Sequence, residues 1–216
     1  MGRKRELAPE AMRDALAAVQ RAFGSDVAWW VQDGTLLGAV RHGGPIPGDD
    51  DIDIGMHAAD FSWSLLDRFL QEGIEIDDVR GATVEDMKIR LVYAGIVVDL
   101  FLAYPMGRHW VYWMKLNGCR LAARLTPFEI GQVEYLGLKV PAPDPAERCL
   151  EETYGPKWLI PTSDWKPHYD QPNLTPRGGP LENARYRWNR GRRTARSVRR
   201  VAANLVKGTL SGARRP

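Results

Sequence analysis

The feature that most constrains the fold is an acidic row that runs into an apolar strand. Residues 49–54 read D-D-D-I-D-I. Because side chains alternate across a β-strand, Asp49, Asp51 and Asp53 share one face while Ile52 and Ile54 enter a core. Two like charges about 4 Å apart repel by about 4 kcal/mol at an effective dielectric of 20. A cation, or raised pKa values, must therefore stabilise this row of carboxylates.

An all-oxygen cluster of this kind suits a hard divalent cation. Mg²⁺ and Mn²⁺ prefer oxygen ligands, and Mg²⁺ is usually held by one or two carboxylates together with substrate phosphates. We therefore predict one or two such ions at Asp49, Asp51 and Asp53. The alternative is an acidic turn in solvent, as most acidic runs are. The sequence does not match a calcium-binding loop, because Ile54 occupies the sixth position of that pattern, where glycine is needed.

A phosphate-binding turn is predicted just before the acidic row. Trp29–Val31 has the composition of a short buried strand, and Gly34 and Thr35 belong to a turn that caps a helix over residues 36–41. Backbone N–H groups at a helix start bind phosphate, and glycine lets the backbone approach closely. We expect Gly34, Thr35 and Gly38 to lie around a phosphate chain.

Two cationic or titratable residues, Arg41 and His42, follow the predicted helix. Both carry groups that could contact the same phosphates. An arginine that ends a helix is equally well explained as a partner of the helix dipole or as a solvated charge. The sequence leaves these two interpretations open.

A basic strand is predicted after a second helix over residues 61–70. Met87–Tyr93 alternates apolar and basic residues, so Lys88 and Arg90 point the same way. They reach donor phosphates from a neighbouring strand, or they lie on the solvent face of an antiparallel strand. Both arrangements fit the pattern.

A lone aspartate marks the next strand. Ile96–Ala103 is a nearly continuous apolar run, which is typical of a strand buried on both faces, and it contains Asp99. Burying an isolated carboxylate is very unfavourable. We therefore place Asp99 beside Asp51 and Asp53 as a third carboxylate, with a structural salt bridge as the alternative.

The residues from Gly34 to Ile54 carry a resemblance to a known family. The run G-T-L-L-G-A-V-R-H-G-G-P-I-P-G-D-D-D-I-D-I resembles the signature of the LicD family, which includes bacterial phosphocholine transferases and the animal proteins fukutin and fukutin-related protein. Y-G-P-K-W at residues 154–158 resembles a later segment of the same family. One departure is Gly48, where relatives usually carry tryptophan. The resemblance implies the nucleotidyltransferase superfold, an α+β fold with a mixed sheet flanked by helices.

The resemblance also implies an activity. It suggests a metal-dependent transferase that moves a phosphoalcohol from a CDP-linked donor, such as CDP-choline or a CDP-polyol, to a sugar hydroxyl of a cell-surface glycan or its lipid-linked precursor. Asp51, Asp53 and Asp99 would be catalytic, and Asp49 would join them as a metal ligand. Asp99 could take the proton of the attacking hydroxyl, or the metal could make a base unnecessary. Nucleotidyl transfer from a triphosphate, and a protein that binds nucleic acid or membrane without catalysis, are the alternatives.

Charge divides the chain into two predicted parts. From Arg177 onward there are twelve basic residues and one acidic residue, so this segment carries a formal charge of +11 and the rest carries −8. We predict a catalytic domain over residues 1–176 and a basic tail over 177–216. Residues 182–210 match an amphipathic helix with Trp188 on its apolar side.

The basic tail and the hydropathy of the chain predict where in the cell the protein is located. A basic amphipathic helix favours anionic lipid headgroups, at about 1 kcal/mol for each Lys or Arg near the surface. Nucleic acid would attract the same charge but is not the expected partner, and a solvated tail is the further alternative. The most apolar run, residues 95–103, is too short to span a membrane. We expect a cytoplasmic protein, peripheral at the inner membrane face.

Overall fold

The computed structural model describes residues 8–80, 87–116, 119–162 and 165–192. The helices are α1 (Pro9–Phe23), α2 (Asp33–His42), α3 (Trp63–Gln71), α4 (Ala146–Tyr154), α5 (Pro167–Asp170) and α6 (180–192). The strands are β1 (Trp29–Val31), β2 (Asp51–His57), β3 (Glu75–Arg80), β4 (Lys88–Tyr93), β5 (Ile96–Met106), β6 (His109–Leu116), β7 (Cys119–Leu125), β8 (Glu129–Tyr135), β9 (Leu138–Asp144) and β10 (Leu174–Pro176). This is the α+β architecture that the sequence predicts.

The long strand β5 organises an eight-stranded mixed sheet. The main path of the sheet is β1-β2-β5-β6-β7-β10, and β4 and β3 extend it from β5. β5 runs parallel to β2 and antiparallel to β4 over its first half, and its end pairs with β6 from Tyr104 onward. The acidic strand β2 therefore lies directly beside the strand that carries Asp99.

Helices and the β8–β9 hairpin cover the part of the sheet around β2 and β5. The face of α1 that includes Met12, Leu16 and Val19 is fully buried, as its spacing predicts. Phe23 closes this helix and stacks on Trp29, with ring centroids 5.0 Å apart. These contacts join α1 and β1 in the main hydrophobic core.

A smaller core forms where β6, β7 and β10 meet α6. Tyr112, Leu121 and Leu174 are buried here together with Tyr186 of α6. The Tyr186 hydroxyl donates a hydrogen bond to the carbonyl oxygen of His168 at 2.9 Å. The first part of the basic segment is thus packed against the sheet, while residues 193–210 of the predicted tail helix lie outside the described residues. The division of the chain at residue 176 stays a prediction.

Two sequence predictions are corrected by the structure. The helix α2 begins at Asp33 rather than at Leu36, because Gln32 is its N-cap, so the predicted turn is the first helical turn. The sequence of Glu134–Pro141 predicts one strand, but this segment contains the turn between β8 and β9. Leu136 and Gly137 both have positive φ there, +52° and +75°, which reverses the chain in a tight hairpin.

Among the described residues, no helix has both the length and the hydropathy needed to cross a bilayer.

Candidate active site

Three aspartates converge where β2 and β5 pair. Asp53 lies opposite Asp99 in the parallel register, and Asp51 lies one alternation earlier on the same face of β2. One carboxylate oxygen from each of Asp51, Asp53 and Asp99 lies within 4.8 Å of the others. Asp49, Asp50 and Asp51 form a second group, in which one carboxylate oxygen from each residue also lies within 4.8 Å of the others. The structure brings together the aspartates predicted from the sequence, and their role as ligands stays a prediction.

The electrostatics of this cluster fit a divalent cation. Burial raises the pKa of Asp53 well above its ordinary value, and the nearby charges of Asp51 and Asp33 raise it further. A bound cation would offset the part of this shift that comes from neighbouring like charges. The donor set is made of carboxylate oxygens alone, which is the chemistry that Mg²⁺ or Mn²⁺ prefers.

Two cations from β4 hold the third carboxylate. The Lys88 ammonium and the Arg90 guanidinium both donate to Asp99, the latter at 3.2 Å, and Asp99 is only 3% exposed. The Arg90 pair follows from register, because Arg90 lies opposite Asp99 in the antiparallel pairing of β4 and β5. Asp99 therefore takes part in both predicted arrangements at once, as a member of the carboxylate cluster and as the centre of an ion-pair network.

The start of α2 faces the same cluster. The Gly34 amide donates to Oδ2 of Asp53 at 3.2 Å. A Cβ at position 34 would lie 3.0 Å from Oδ2 of Asp49, so a larger residue would displace that carboxylate. The hydroxyl of the buried Thr35 accepts a hydrogen bond from the backbone amide of Asp53 at 2.8 Å and so fixes α2 to β2. The positive end of the helix dipole thus points at the carboxylates.

The other predicted phosphate contacts lie elsewhere on α2. A Cβ on Gly38 would come within 2.4 Å of the Gly44 carbonyl oxygen, so this glycine is needed for close backbone packing. Arg41 and His42 are eight or nine residues after Asp33, which is about 12 Å along the helix. The Arg41 guanidinium donates to the Trp158 carbonyl oxygen at 3.3 Å and also contacts the His42 ring. These contacts join Gly38, Arg41 and His42 to other parts of the chain and not to the carboxylates.

A further acidic residue beside the cluster, Asp33, was not predicted as a site residue. Its carboxylate accepts hydrogen bonds from the Tyr112 hydroxyl at 2.8 and 3.0 Å and from the side-chain amide of Gln32 at 3.2 Å. Burial raises the pKa of Asp33 to about 6. The sequence contains only a weak signal for it, an aspartate before glycine at a helix start, which fits an ordinary turn.

Two tyrosines also lie close enough to the carboxylates for the negative charges to raise the pKa values of their hydroxyl groups. Burial, and then the charges of Asp49 and Asp53, raises the pKa of Tyr135. The same carboxylates, together with Asp33, raise the pKa of Tyr154 after a larger effect of burial. The Tyr135 hydroxyl is buried and has no hydrogen-bond partner within the part of the chain that the structure describes. The hydroxyl groups of Tyr135 and Tyr154 therefore stay protonated near the carboxylates.

The mixed sheet with its carboxylates beside a helix start defines a nucleotidyltransferase-type domain. A family model described as "LicD/FKTN/FKRP, nucleotidyltransferase domain" matches residues 26–144, which is more than half of the chain. The chain belongs to this family. The match contains every carboxylate described above.

Three curated proteins illustrate the range of relatives. Ribitol-5-phosphate transferase FKTN from Mus musculus is 29% identical over 157 residues, covering 70% of this chain and 34% of that protein. Ribitol 5-phosphate transferase FKRP from Homo sapiens is 35% identical over 85 residues, 37% of this chain and 17% of that protein. Lipopolysaccharide cholinephosphotransferase LicD from Haemophilus influenzae is 36% identical over 75 residues, 35% of this chain and 26% of that protein. The chain spans about a third of the length of the FKTN proteins it matches.

Proposed function

We propose that this protein is a metal-dependent transferase that moves a phosphoalcohol from a CDP-linked donor to a sugar hydroxyl of a cell-surface glycan or its lipid-linked precursor. The observation that carries the proposal is the convergence of Asp51, Asp53 and Asp99 within 4.8 Å beside the start of α2. Relatives whose names specify transfer of ribitol phosphate or phosphocholine support the choice of transferred group.

The chain's own residues have separable roles in this reaction. Asp51, Asp53 and Asp99, together with Asp49, would hold one or two Mg²⁺ or Mn²⁺ ions. A divalent cation there would neutralise charge on the donor phosphates during transfer. The Gly34 amide, at the positive end of α2, donates to Asp53 and would hold this carboxylate beside the donor phosphates.

The cations on β4 complete the proposed phosphate site. Lys88 lowers the pKa values of Asp33 and Asp53 as well as contacting Asp99, so its charge acts on the whole cluster. Its side chain is also 23% exposed, so it can reach a donor that enters from solvent. Arg90 is similarly placed, with 31% of its side chain exposed. We propose that both neutralise charge on the donor while holding Asp99 in place.

A donor screen tests this function. Purified protein with Mg²⁺ is mixed with CDP-choline, CDP-ribitol, CTP and the UDP and GDP analogues, and binding is followed by thermal shift. The proposal expects a Mg²⁺-dependent rise in Tm with CDP-alcohols and release of CMP on turnover. Release of pyrophosphate from CTP would instead assign nucleotidyl transfer. No Mg²⁺-dependent shift with any nucleotide would contradict both enzymatic functions.

We also propose that α6 attaches the enzyme to an anionic membrane surface. The sequence predicts Trp188 on the apolar side of an amphipathic tail helix, and in the described part of that helix Tyr186 packs inward while Trp188 is 67% exposed. Arg185 and Arg192 lie three or four residues from Trp188 and are exposed too, so they share one outer stripe with it. Aromatic and basic side chains together are typical of the membrane interface.

Vesicle pelleting tests this attachment. Full-length protein should pellet with vesicles that contain phosphatidylglycerol, and less so as salt is raised. Trp188→Ala should weaken pelleting at least about fivefold, since burying a large aromatic ring contributes about 1.5–3 kcal/mol. Trp63→Ala is the matched control, because Trp63 is 65% exposed on another helix. Equal pelleting with pure phosphatidylcholine, or equal weakening by the two variants, would contradict the proposal.

A further inference from the structure

One carboxylate at the site lies outside both acidic groups described above. Asp33 is the first residue of α2 and has a φ of +44°, in the left-handed region that few residues other than glycine adopt. Both of its oxygens accept hydrogen bonds from the Tyr112 hydroxyl. A residue held in a rare backbone conformation at a functional site is a candidate for a role in that site.

A second layer of buried groups fixes Asp33 from behind. The Gln171 side-chain amide donates to the Tyr112 oxygen at 3.1 Å, and Gln171 and Tyr112 are each 2% exposed. Arg190 of α6 donates in turn to the Gln171 carbonyl oxygen at 3.2 Å. The Tyr112 hydroxyl is therefore directed at Asp33, and the carboxylate has little freedom to rotate away.

Asp33 also lies next to the residues that we propose to surround the donor phosphates. The amide of its neighbour Gly34 contacts Asp53 at 3.2 Å, and consecutive Cα atoms are only about 3.8 Å apart. The charge of Asp33 also raises the pKa of Asp53, after the larger effects of burial and of Asp51, which is consistent with this proximity. In the described ranges, no Lys or Arg forms an ion pair with Asp33.

Asp99 is less suited to accept a proton from an acceptor hydroxyl. Lys88 and Arg90 both contact it, and it is almost fully buried. Its oxygens are therefore engaged by cations on one side and face Asp51 and Asp53 on the other. Asp33 is more accessible than Asp99 and has no such cations on its oxygens.

From this geometry we propose that Asp33 is a catalytic carboxylate that binds the attacking hydroxyl of the acceptor, and that Tyr112 and Gln171 are its positioning residues. The inference rests on the proposed function. In the transfer step, the bond from the acceptor oxygen to the donor phosphorus forms and the bond from that phosphorus to the CMP oxygen breaks. The hydroxyl proton passes to Asp33 and then to solvent, and CMP leaves with the electron pair of the broken bond.

Asp33→Asn separates this role from a purely structural one. Asparagine adopts the left-handed region readily and keeps an oxygen that accepts from Tyr112, but it cannot take a proton. A structural role predicts normal turnover, and an equal or higher Tm because a like charge is removed. The catalytic role predicts the same Tm with turnover lowered at least about 100-fold.

The experiment measures CMP release from CDP-ribitol and CDP-choline in Mg²⁺ buffer, with water as the acceptor, and donor binding by thermal shift. Asp33→Asn should keep the Mg²⁺-dependent donor shift and the donor KM while kcat falls. Tyr112→Phe should lower kcat less, with the donor KM unchanged. Asp26→Asn is the matched control, because Asp26 is an exposed aspartate paired with Arg68.

The outcomes also separate this inference from the proposed function. Turnover of Asp33→Asn within about threefold of wild type would overturn the inference, as would loss of its donor shift, which would place Asp33 in donor binding. Wild-type protein that binds no donor would overturn the proposed function itself. Asp53→Asn, which should lose the Mg²⁺-dependent shift, shows that the assay distinguishes the two kinds of residue.

Discussion

The two ends of α2 belong to one sequence motif but have different surroundings. At the first end, Asp33, Gly34 and Thr35 are hydrogen-bonded to β2 and β6 and face the carboxylate cluster. At the other end, Arg41 and His42 contact each other and the chain after α4. One continuous motif thus contributes residues both to the carboxylate cluster and to packing elsewhere, and only the contacts of these residues distinguish the two groups.

The largest expected effect comes from removing a carboxylate of β2. Asp51→Asn or Asp53→Asn should lower turnover at least about 10³-fold, because binding of the metal and stabilisation of transition-state charge are lost together. Circular dichroism should show an intact fold, since less like charge is buried. Turnover near wild type in either variant would remove the cluster from the mechanism and end the contrast between the two ends of α2.

Two glycines of the motif sharpen the contrast. Gly34→Ala places a Cβ 3.0 Å from Oδ2 of Asp49, so turnover should fall about 10-fold or more with a small change in Tm. Gly38→Ala places a Cβ 2.4 Å from the Gly44 carbonyl oxygen, which should lower the free energy of unfolding by about 1–3 kcal/mol. Its kcat per folded molecule should stay within about threefold of wild type.

Urea unfolding and initial rates, measured on the same preparations of Gly34→Ala and Gly38→Ala, check these two predictions. The expected pattern is one variant that is defective mainly in catalysis and one that is defective mainly in stability. If Gly38→Ala is fully stable but inactive, Gly38 belongs to the phosphate site after all, as the sequence predicts.

The sequence was informative about the carboxylates because burial makes charge costly. A lone aspartate in the apolar run of β5 requires a partner, and the alternation in β2 places Asp51 and Asp53 on one face. These arguments are local, and the register of β2 with β5 turned them into the close contact that the structure shows.

The sequence could not predict contacts between segments that are far apart in the chain. Tyr112 is 79 residues from Asp33 and 59 residues from Gln171, so no spacing rule connects them. The β8–β9 turn was missed for another reason. Leu136 has a positive φ, which leucine rarely adopts, so the pair Leu136 and Gly137 lacks the asparagine or aspartate that usually marks a two-residue hairpin.

The pH dependence of stability should expose the charge at the first end of α2. Burial raises the pKa of Asp33 from 3.8 to about 6. A carboxyl with a raised folded pKa stabilises the fold below its unfolded pKa, and this contribution is lost as pH rises through the folded value. The Tm of Asp33→Asn relative to wild type should therefore increase between about pH 4 and pH 7 in buffer with chelator. A difference that is constant with pH would contradict a raised folded pKa of Asp33.

The smallest effect is expected at the far end of α2. Arg41→Ala removes one hydrogen bond to a carbonyl oxygen and one contact to His42, neither of which touches the cluster. Turnover and donor KM should stay within about threefold of wild type, and the free energy of unfolding should fall by about 0.5–1.5 kcal/mol. Lys88→Ala is the matched comparison, because it removes a cation that contacts Asp99 and should raise the donor KM. A larger rise in donor KM for Arg41→Ala than for Lys88→Ala would mean that the donor extends along the whole helix, and the distinction between its two ends would no longer hold.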